Sequence, residues 1–496
     1  LFPSGGIMVI QDCFCVAFEL KPECGFDGII PDIVLEGENY CGGAVSVLMA
    51  IPPLPQSLLT PSACTNCYEI TKTANVSTAV EGTELVTFTI EVCADNNGQT
   101  NVTLEDLLPT GFDLVSTFAN TDPFTFNINA QQCIPFTVSG YLNSPGECNT
   151  ATVFNSSTPT TTFSDVACVD LINCLPNSDY IKKKNAVSSA FGNFIGTYLG
   201  PPVQVNIQGD FFINSPIQFF NCNIILDPGA RIIVNNNQQL ALAYSTLTPC
   251  LKMWKGIELN VGSNLFSYEC IIEGAENAVL AKTGTFPFLV NTQFKDNYIG
   301  LNIPHSIPWN TSQSYLSGCQ FTGSGTMYPP YAGQVTVIGN KPYAGIVARR
   351  NQLQITPSST DMNTFSGLSN GIIGLSSDLR ISNCIFEDIS PDPVYEVLTK
   401  TLTNSSYNGS GIYAHGFKTN FALHQNGIGL TSPTFDNCHI GIYAEKIDVL
   451  SEYNLMQNMN MGYKVFLAKF SDEVKIRHNQ IESNQNGIDL RFNDAS

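Results

Sequence analysis

Charge is what this 496-residue chain has little of: Asp, Glu, Lys and Arg make up 13% of it, about half the usual share for globular proteins. Cations are scarcest, with 22 Lys and Arg against 42 Asp and Glu, a net charge of −20, and no basic cluster beyond Lys182-Lys183-Lys184. That excludes a phosphate-tracking surface and sets nucleic acid aside as a partner. The acidity is compatible with calcium, but charge alone defines no calcium site, and no cofactor is implied. No run of 18 apolar residues exists, so the sequence offers no membrane span. The first residues, Leu1-Phe-Pro-Ser-Gly, carry neither a basic n-region nor an apolar h-region, so a secretion signal is expected outside this segment. The pattern at Gly487 to Ser496 stops just after a strand, and both ends read as cuts in a longer chain. Histidine is sparse too: His305, His415, His424, His439 and His478 lack ligand spacing and read as surface or turn residues.

Cysteine, by contrast, is abundant. There are 17, eleven of them in the first 174 residues, which points to an oxidising exterior. An odd count leaves at least one thiol unpaired. Cys93 with Cys133 and Cys148 with Cys168 are the candidate disulfides. Cys64-Thr-Asn-Cys67 could be half a zinc site or a redox pair, but no second Cys-x-x-Cys accompanies it, and disulfides to separate partners are the preferred reading.

Residues 1–62 read as the end of a preceding β-domain plus a Pro-rich linker, Ile51 to Pro61. From 63 to 175 the pattern is strand-like. Glu84-Leu-Val-Thr-Phe-Thr-Ile-Glu-Val92 alternates polar with apolar, as a half-buried antiparallel strand should. Thr71-Lys72, Gly82, Phe88, Ile90, Asn101-Val102 and above all Asp106-Leu-Leu-Pro-Thr-Gly-Phe112 resemble the "conserved repeat" immunoglobulin-like β-sandwich of bacterial and archaeal surface proteins. The resemblance implies a spacer with no catalytic residues.

After a connector at 176–202, repeats decide the fold from 203 to 496. Gly256-Ile-Glu-Leu, Ala278-Val-Leu-Ala, Gly300-Leu-Asn-Ile, Gly345-Ile-Val-Ala, Gly411-Ile-Tyr-Ala, Gly441-Ile-Tyr-Ala and Gly487-Ile-Asp-Leu align, the first three at a spacing of 22 residues. Six residues before the small residue stands a large apolar one, as in Ile272, Phe294, Phe365 (before Gly371), Phe435 and Ile481. Two residues before such a position stands a small or polar one: Cys270, Thr292, Cys319, Cys384 and Asn479, expected to stack at one buried corner of successive coils. This is the signature of a parallel β-helix of about ten coils, whose turns cannot bury their faces alone. Gly209-Asp-Phe-Phe-Ile, Ile225 to Val234 and Cys250-Leu-Lys-Met-Trp-Lys-Gly-Ile257 resemble the β-helix entry of large right-handed β-helix surface proteins that Bacteroidota export by type IX secretion. That resemblance implies an extracellular, cell-surface location.

Residue patterns that would carry catalysis are scarce. A glycosidase needs two carboxylates flanking one bond, yet the aligned strand positions hold Glu258, Leu280, Asn302, Val347, Tyr413, Tyr443 and Asp489, with no stacked acidic pair. Arg349-Arg350 and Glu387-Asp388 are neighbours in sequence, so on a strand only one of each could enter a groove. Trp254 reads as a packing residue. Glycan contacts, if made, are expected from Trp309, Tyr328, Tyr331, Tyr395 and Tyr407 in loops that interrupt the repeats. The sequence therefore predicts an all-β, non-catalytic structural protein of a surface layer, sheath or fibre. Its partners would be copies of itself, other surface proteins or surface glycans. A glycan-binding adhesin and a β-helix polysaccharide lyase or hydrolase are the alternatives. The last coil, Asn479 to Leu490, has no cap after it in this sequence, so it is expected to be covered by further chain or another subunit.

Overall fold

The computed structural model describes the backbone of two strands, Ile33–Glu38 and Ala44–Met49, then residues 68–174 and 186–492 with breaks, the longest at 305–313 and 397–406. The two early strands pair antiparallel. The linker at 51–61, Cys64, Cys67, Lys182 to Lys184, His305 and Trp309 lie outside the described residues. The chain forms two compact units. One comprises Leu1–Ser77, Val86–Gly140 and Pro145–Val169, the other Thr78–Leu85, Tyr141–Ser144 and Asp170–Ser496. Two short pieces of the strand-rich region, 78–85 and 141–144, thus belong to the second unit.

The first unit is built on two four-stranded sheets. One has the order Thr158–Cys168, Cys148–Asn155, Gln99–Leu107, Phe124–Ile128; the other Tyr68–Ala74, Leu85–Ala94, Cys133–Leu142, Phe112–Ser116. Alternation works as the pattern requires: Val86, Phe88, Ile90 and Val92 are all fully buried. Ile90 and Val92 from one sheet share a core with Val102, Leu104, Ala151 and Val153 from the other. Disulfides Cys93–Cys133 and Cys148–Cys168 link neighbouring strands. Lys72 and Asp106, both within the resemblance noted above, form an ion pair inside this core.

The second unit contains a parallel β-solenoid of about eleven turns from residue 186 onward. The second half of the expected connector is its first turn: Ala186–Val187 pairs with Phe211 and Phe212, and Phe194–Ile195 with Phe219 and Phe220. Strands of two residues carry too little periodicity to be read from sequence. A full turn has three strand positions, as in Ile271–Glu273, Ala275–Ala281 and Phe286–Val290. They are called here the corner strand, the glycine strand and the third strand.

Every turn repeats the same packing. On the corner strands the register runs Ile224, Leu247, Ile272, Phe294, Phe321, Phe365, Phe386, Phe435, Met456, Ile481. Its phenylalanine rings stack at 4.7–4.9 Å, the distance that separates hydrogen-bonded strands. The glycine strands leave room for these rings. A Cβ on Gly371 would stand 2.4 Å from the Gly411 carbonyl and 2.6 Å from the Phe386 ring, so a larger residue cannot coexist with the ladder.

Bending takes one residue per corner. Asn221, Glu269, Asn291, Asn383 and His478 have φ between 47° and 55°, the left-handed conformation that Asn tolerates and most residues resist. The next residue then turns inward: Cys222, Cys270, Thr292 and Cys384 are at most 2% exposed, while Asn479 in the last described turn is only half-buried. Their Sγ or Oγ atoms reach the carbonyl two residues back, as in Cys270 to Tyr268 and Thr292 to Val290. A small weak donor is what the corner selects. Cys319, after Gly318, is fully buried in the same column. Ser245, Asn363 and Asn454, at the same offset from Leu247, Phe365 and Met456, belong to the column as well.

Candidate functional site

The outward side of the glycine strands is the surface on which β-helix chemistry would be sought. Register there runs Glu258, Leu280, Asn302, Val347, Ile373, Tyr413, Tyr443, Lys464, Asp489. No two acidic residues are adjacent in it.

At its early turns each carboxylate is already engaged. Glu258 takes Arg231 at 2.7 Å and also pairs with Lys282; Arg231 in turn chelates Asp210. Glu273 takes Lys295 at 2.9 Å and the Tyr328 hydroxyl at 3.0 Å. Glu276 accepts from the hydroxyls of Tyr331, at 2.5 Å, and Thr336. Tyr328 and Tyr331, expected in a loop that interrupts the repeats, thus bring the segment 323–343 back onto turns that precede them by some fifty residues of sequence. Met253 donates its backbone N–H to the Pro329 carbonyl, and Tyr331 lies against Gly229 with Lys255 over its ring. Tyr328 and Tyr331 are partly exposed, with their hydroxyls committed to protein.

The described residues of the second long segment, 388–396 and 407–409, behave the same way. Tyr395 and Tyr407, expected as exposed glycan contacts, are fully buried. They pack with Tyr298, Tyr343, Tyr413 and Tyr443 in one aromatic cluster over the glycine strands. Aromatic loop residues suggest exposure, but here the turns they cover present Tyr and Ile outward, and burial of both surfaces follows. The Tyr343 and Tyr407 hydroxyls share a 2.6 Å hydrogen bond. Asp392, 1% exposed, locks the two segments together: its Oδ2 accepts from the backbone N–H groups of Asn340 and Lys341 at 2.6 and 3.1 Å.

One pair was missed by the sequence reading. His415 is not a surface residue; it is 3% exposed and is the register partner of Glu445 on the next turn, with Nε2 3.8 Å from Oε1. Burial, with help from Lys446, lowers the His415 imidazole to about 4, and burial raises the Glu445 carboxyl. Both stand four residues after an aligned glycine, Gly411 and Gly441, so the offset was readable. The pair could exchange a proton, but a lone acid–base pair is not the two-carboxylate arrangement of a glycosidase. Arg349 and Arg350 are exposed, the latter in a left-handed bend, and Asp388 occupies another such bend with Asn437 bonded to it. Trp254 is fully buried, its Nε1–H donating to the Glu273 carbonyl at 2.8 Å.

No known family model matches the sequence, and no curated protein matches it.

As to metals, among the described residues only Cys174, Asp227 and Cys250 gather three possible ligand atoms within 4.8 Å, and Cys174 and Cys250 are joined in a disulfide. That bond also places a disulfide partner inside the solenoid, beyond the first 175 residues where such bonds were expected.

Five described cysteines are free: Cys222, Cys270, Cys319, Cys384 and Cys438, all buried. Burial pushes their thiols up, to about 11 at Cys222 and Cys319 and about 12 at Cys384. These five are expected to resist iodoacetamide in the native protein at pH 8 and to react once it is denatured. Because the folded values lie above the ordinary 9.0, their contribution to stability is complete below that pH and is lost as pH rises through 11–12. Chemical denaturation across that range should show the decline; native labelling of these positions would contradict their burial.

Proposed function

We propose that this chain is a non-catalytic structural segment of an extracellular protein that builds or decorates a surface layer, sheath or fibre. In this reading the first unit is an immunoglobulin-like spacer and the solenoid a right-handed β-helix, of the kind exported to bacterial surfaces. The observation that carries it is the closure of the solenoid's outer face. The described residues of 323–343 and of 388–409 lie back on the glycine strands, their tyrosines buried or bonded, and the early carboxylates are neutralised by Arg231, Lys282 and Lys295. An enzyme of this architecture would need an open groove with uncommitted acidic or basic groups. Three disulfides among the described residues favour an oxidising exterior.

A second reading, adhesion, rests on a different surface. Phe266, Tyr268 and Tyr315 on the third strands are 36%, 42% and 44% exposed, an aromatic stripe of the sort that marks interaction sites. Phe288 and Tyr315 stack ring on ring at 4.6 Å, which covers the faces a sugar would use and favours a protein contact, another copy included.

Incubation with a panel of acidic and neutral glycans is expected to give no reducing ends and no unsaturated products. Turnover that disappears with His415→Gln or Glu445→Gln would replace the structural reading with an enzymatic one. Imaging of native material should show the protein in an extended assembly, and Tyr268→Ser with Tyr315→Ser should weaken association in light scattering. Isolated monomers in both measurements would remove the assembly.

A further inference from the structure

The first unit buries three reactive side chains together. Lys72 and Asp106 are each 5% exposed and Asn149 is 0% exposed. Lys72 belongs to the strand Tyr68–Ala74 of one sheet; Asp106 and Asn149 come from neighbouring strands of the other, Gln99–Leu107 and Cys148–Asn155. Ala151 lies opposite Asp106 in the register, so Asn149, two residues away, shares that face. Asp106 bridges the other two. Its Oδ1 accepts from Lys72 Nζ, and its Oδ2 accepts from Asn149 Nδ2 at 3.4 Å. Asn149 Oδ1 is buried with no hydrogen-bond partner among the described residues, an uncommon cost inside a core. The Phe88 ring lies 5.6 Å from Nζ, and the Lys72 backbone N–H donates to Asp165 Oδ2 at 2.6 Å.

Burial lowers the Lys72 amine below its ordinary value, against the pull of Asp106 and Asp165. A desolvated amine yields its proton more readily and becomes a nucleophile. Across the Asp106 carboxylate, which is bonded to both side chains, stands an electrophile, the Asn149 carboxamide.

We propose that Lys72 and Asn149 become joined by an intramolecular amide bond, with Asp106 as the proton carrier. The Nζ lone pair attacks Cγ of Asn149; the Nζ–Cγ bond forms and the Cγ–Nδ2 bond breaks. Asp106 accepts a proton from Nζ and returns it to Nδ2, which leaves as ammonia. One amine and one carboxamide yield one secondary amide and one ammonia, with no oxidant or other reagent. The carboxyl of Asp106 is the carrier and not the acyl donor, because a carboxylate facing an ammonium is a poor electrophile, while departing ammonia makes the exchange one-way. The product replaces a buried charged lysine, which is costly to hold in an apolar core, with a neutral amide tying the two sheets together.

Intact mass of the full chain, reduced and denatured, tests this. The expected mass lies below the sequence value by one ammonia. Trypsin should fail to cut after Lys72, and a branched peptide should contain both Lys72 and Asn149. Lys72→Arg, Asp106→Ala and Asn149→Ala should each restore the full sequence mass of the variant. If a variant fails to fold, the parent protein's mass and digest still decide. A parent mass at the sequence value with cleavage after Lys72 overturns the proposal. Loss of one water in a Lys72–Asp106 branched peptide overturns the assignment to Asn149. Ammonia loss confined to one unbranched peptide is succinimide formation and overturns it as well.

Discussion

Alanine at Phe365 is expected to destabilise the solenoid by about 3–5 kcal/mol. The ring is fully buried between Phe321 and Phe386, at 4.8 and 4.9 Å, and presses on Gly345 of the preceding turn. Its neighbours are held at strand spacing by their own ladders, so the cavity cannot collapse. Ile481, half-buried at the last described turn, should lose much less on the same truncation. Guanidinium denaturation of the two variants compares them. A loss at Phe365 of under about 1 kcal/mol would mean that the column does not carry the packing assigned to it.

Replacing Asp392 with alanine is expected to free both long segments without unfolding the turns beneath them. The carboxylate accepts from the N–H groups of Asn340, Lys341 and Val394. Leaving such buried donors unsatisfied costs about 1–3 kcal/mol each. The neighbouring Tyr395 hydroxyl, which accepts from Gly339 and donates to Lys341, would lose its frame as well. Limited proteolysis should reveal new cuts within 323–343 and 388–409, while circular dichroism keeps the β signal. Asp392→Asn, which retains one carboxyl-type oxygen, should give an intermediate rate of cutting. An unchanged cleavage pattern in the alanine variant would show that the aromatic cluster holds the segments by itself.

What the sequence made legible was whatever recurs at a fixed offset. Phe294, Phe365 and Phe435 stand six residues before a glycine, and the solenoid places them in one column because each turn solves the same packing problem. Cys270, Thr292, Cys319 and Cys384 were legible for the same reason. Asn454 obeys the same offset, two residues before Met456 and eight before Gly462, but that glycine was not among the aligned repeats; in the structure it is held by hydrogen bonds to Gln425, Ser451 and Asn479. Tyr395 and Tyr407, expected to be exposed, are buried. Whether such a segment projects or lies flat depends on what remote turns present to it, and Glu276 is far from Tyr331 along the chain. His415 and Glu445 share an offset, but a histidine's burial is not encoded in its spacing. Lys72 and Asp106 were both noticed, yet their meeting required the order of strands in two sheets.

Bends made by a single residue leave the ladder indifferent to what is spliced between its rungs. Both long segments depart from the same corner, between Gln320–Thr322 and Ala344–Arg349 and between Cys384–Glu387 and Ser410–His415. In each case the flanking strands keep their partners: Ile346 still meets Leu301 and Ile412 still meets Ile372. That corner is a place where length can evolve freely, and a foreign loop grafted there would be displayed by a frame that need not adjust to receive it.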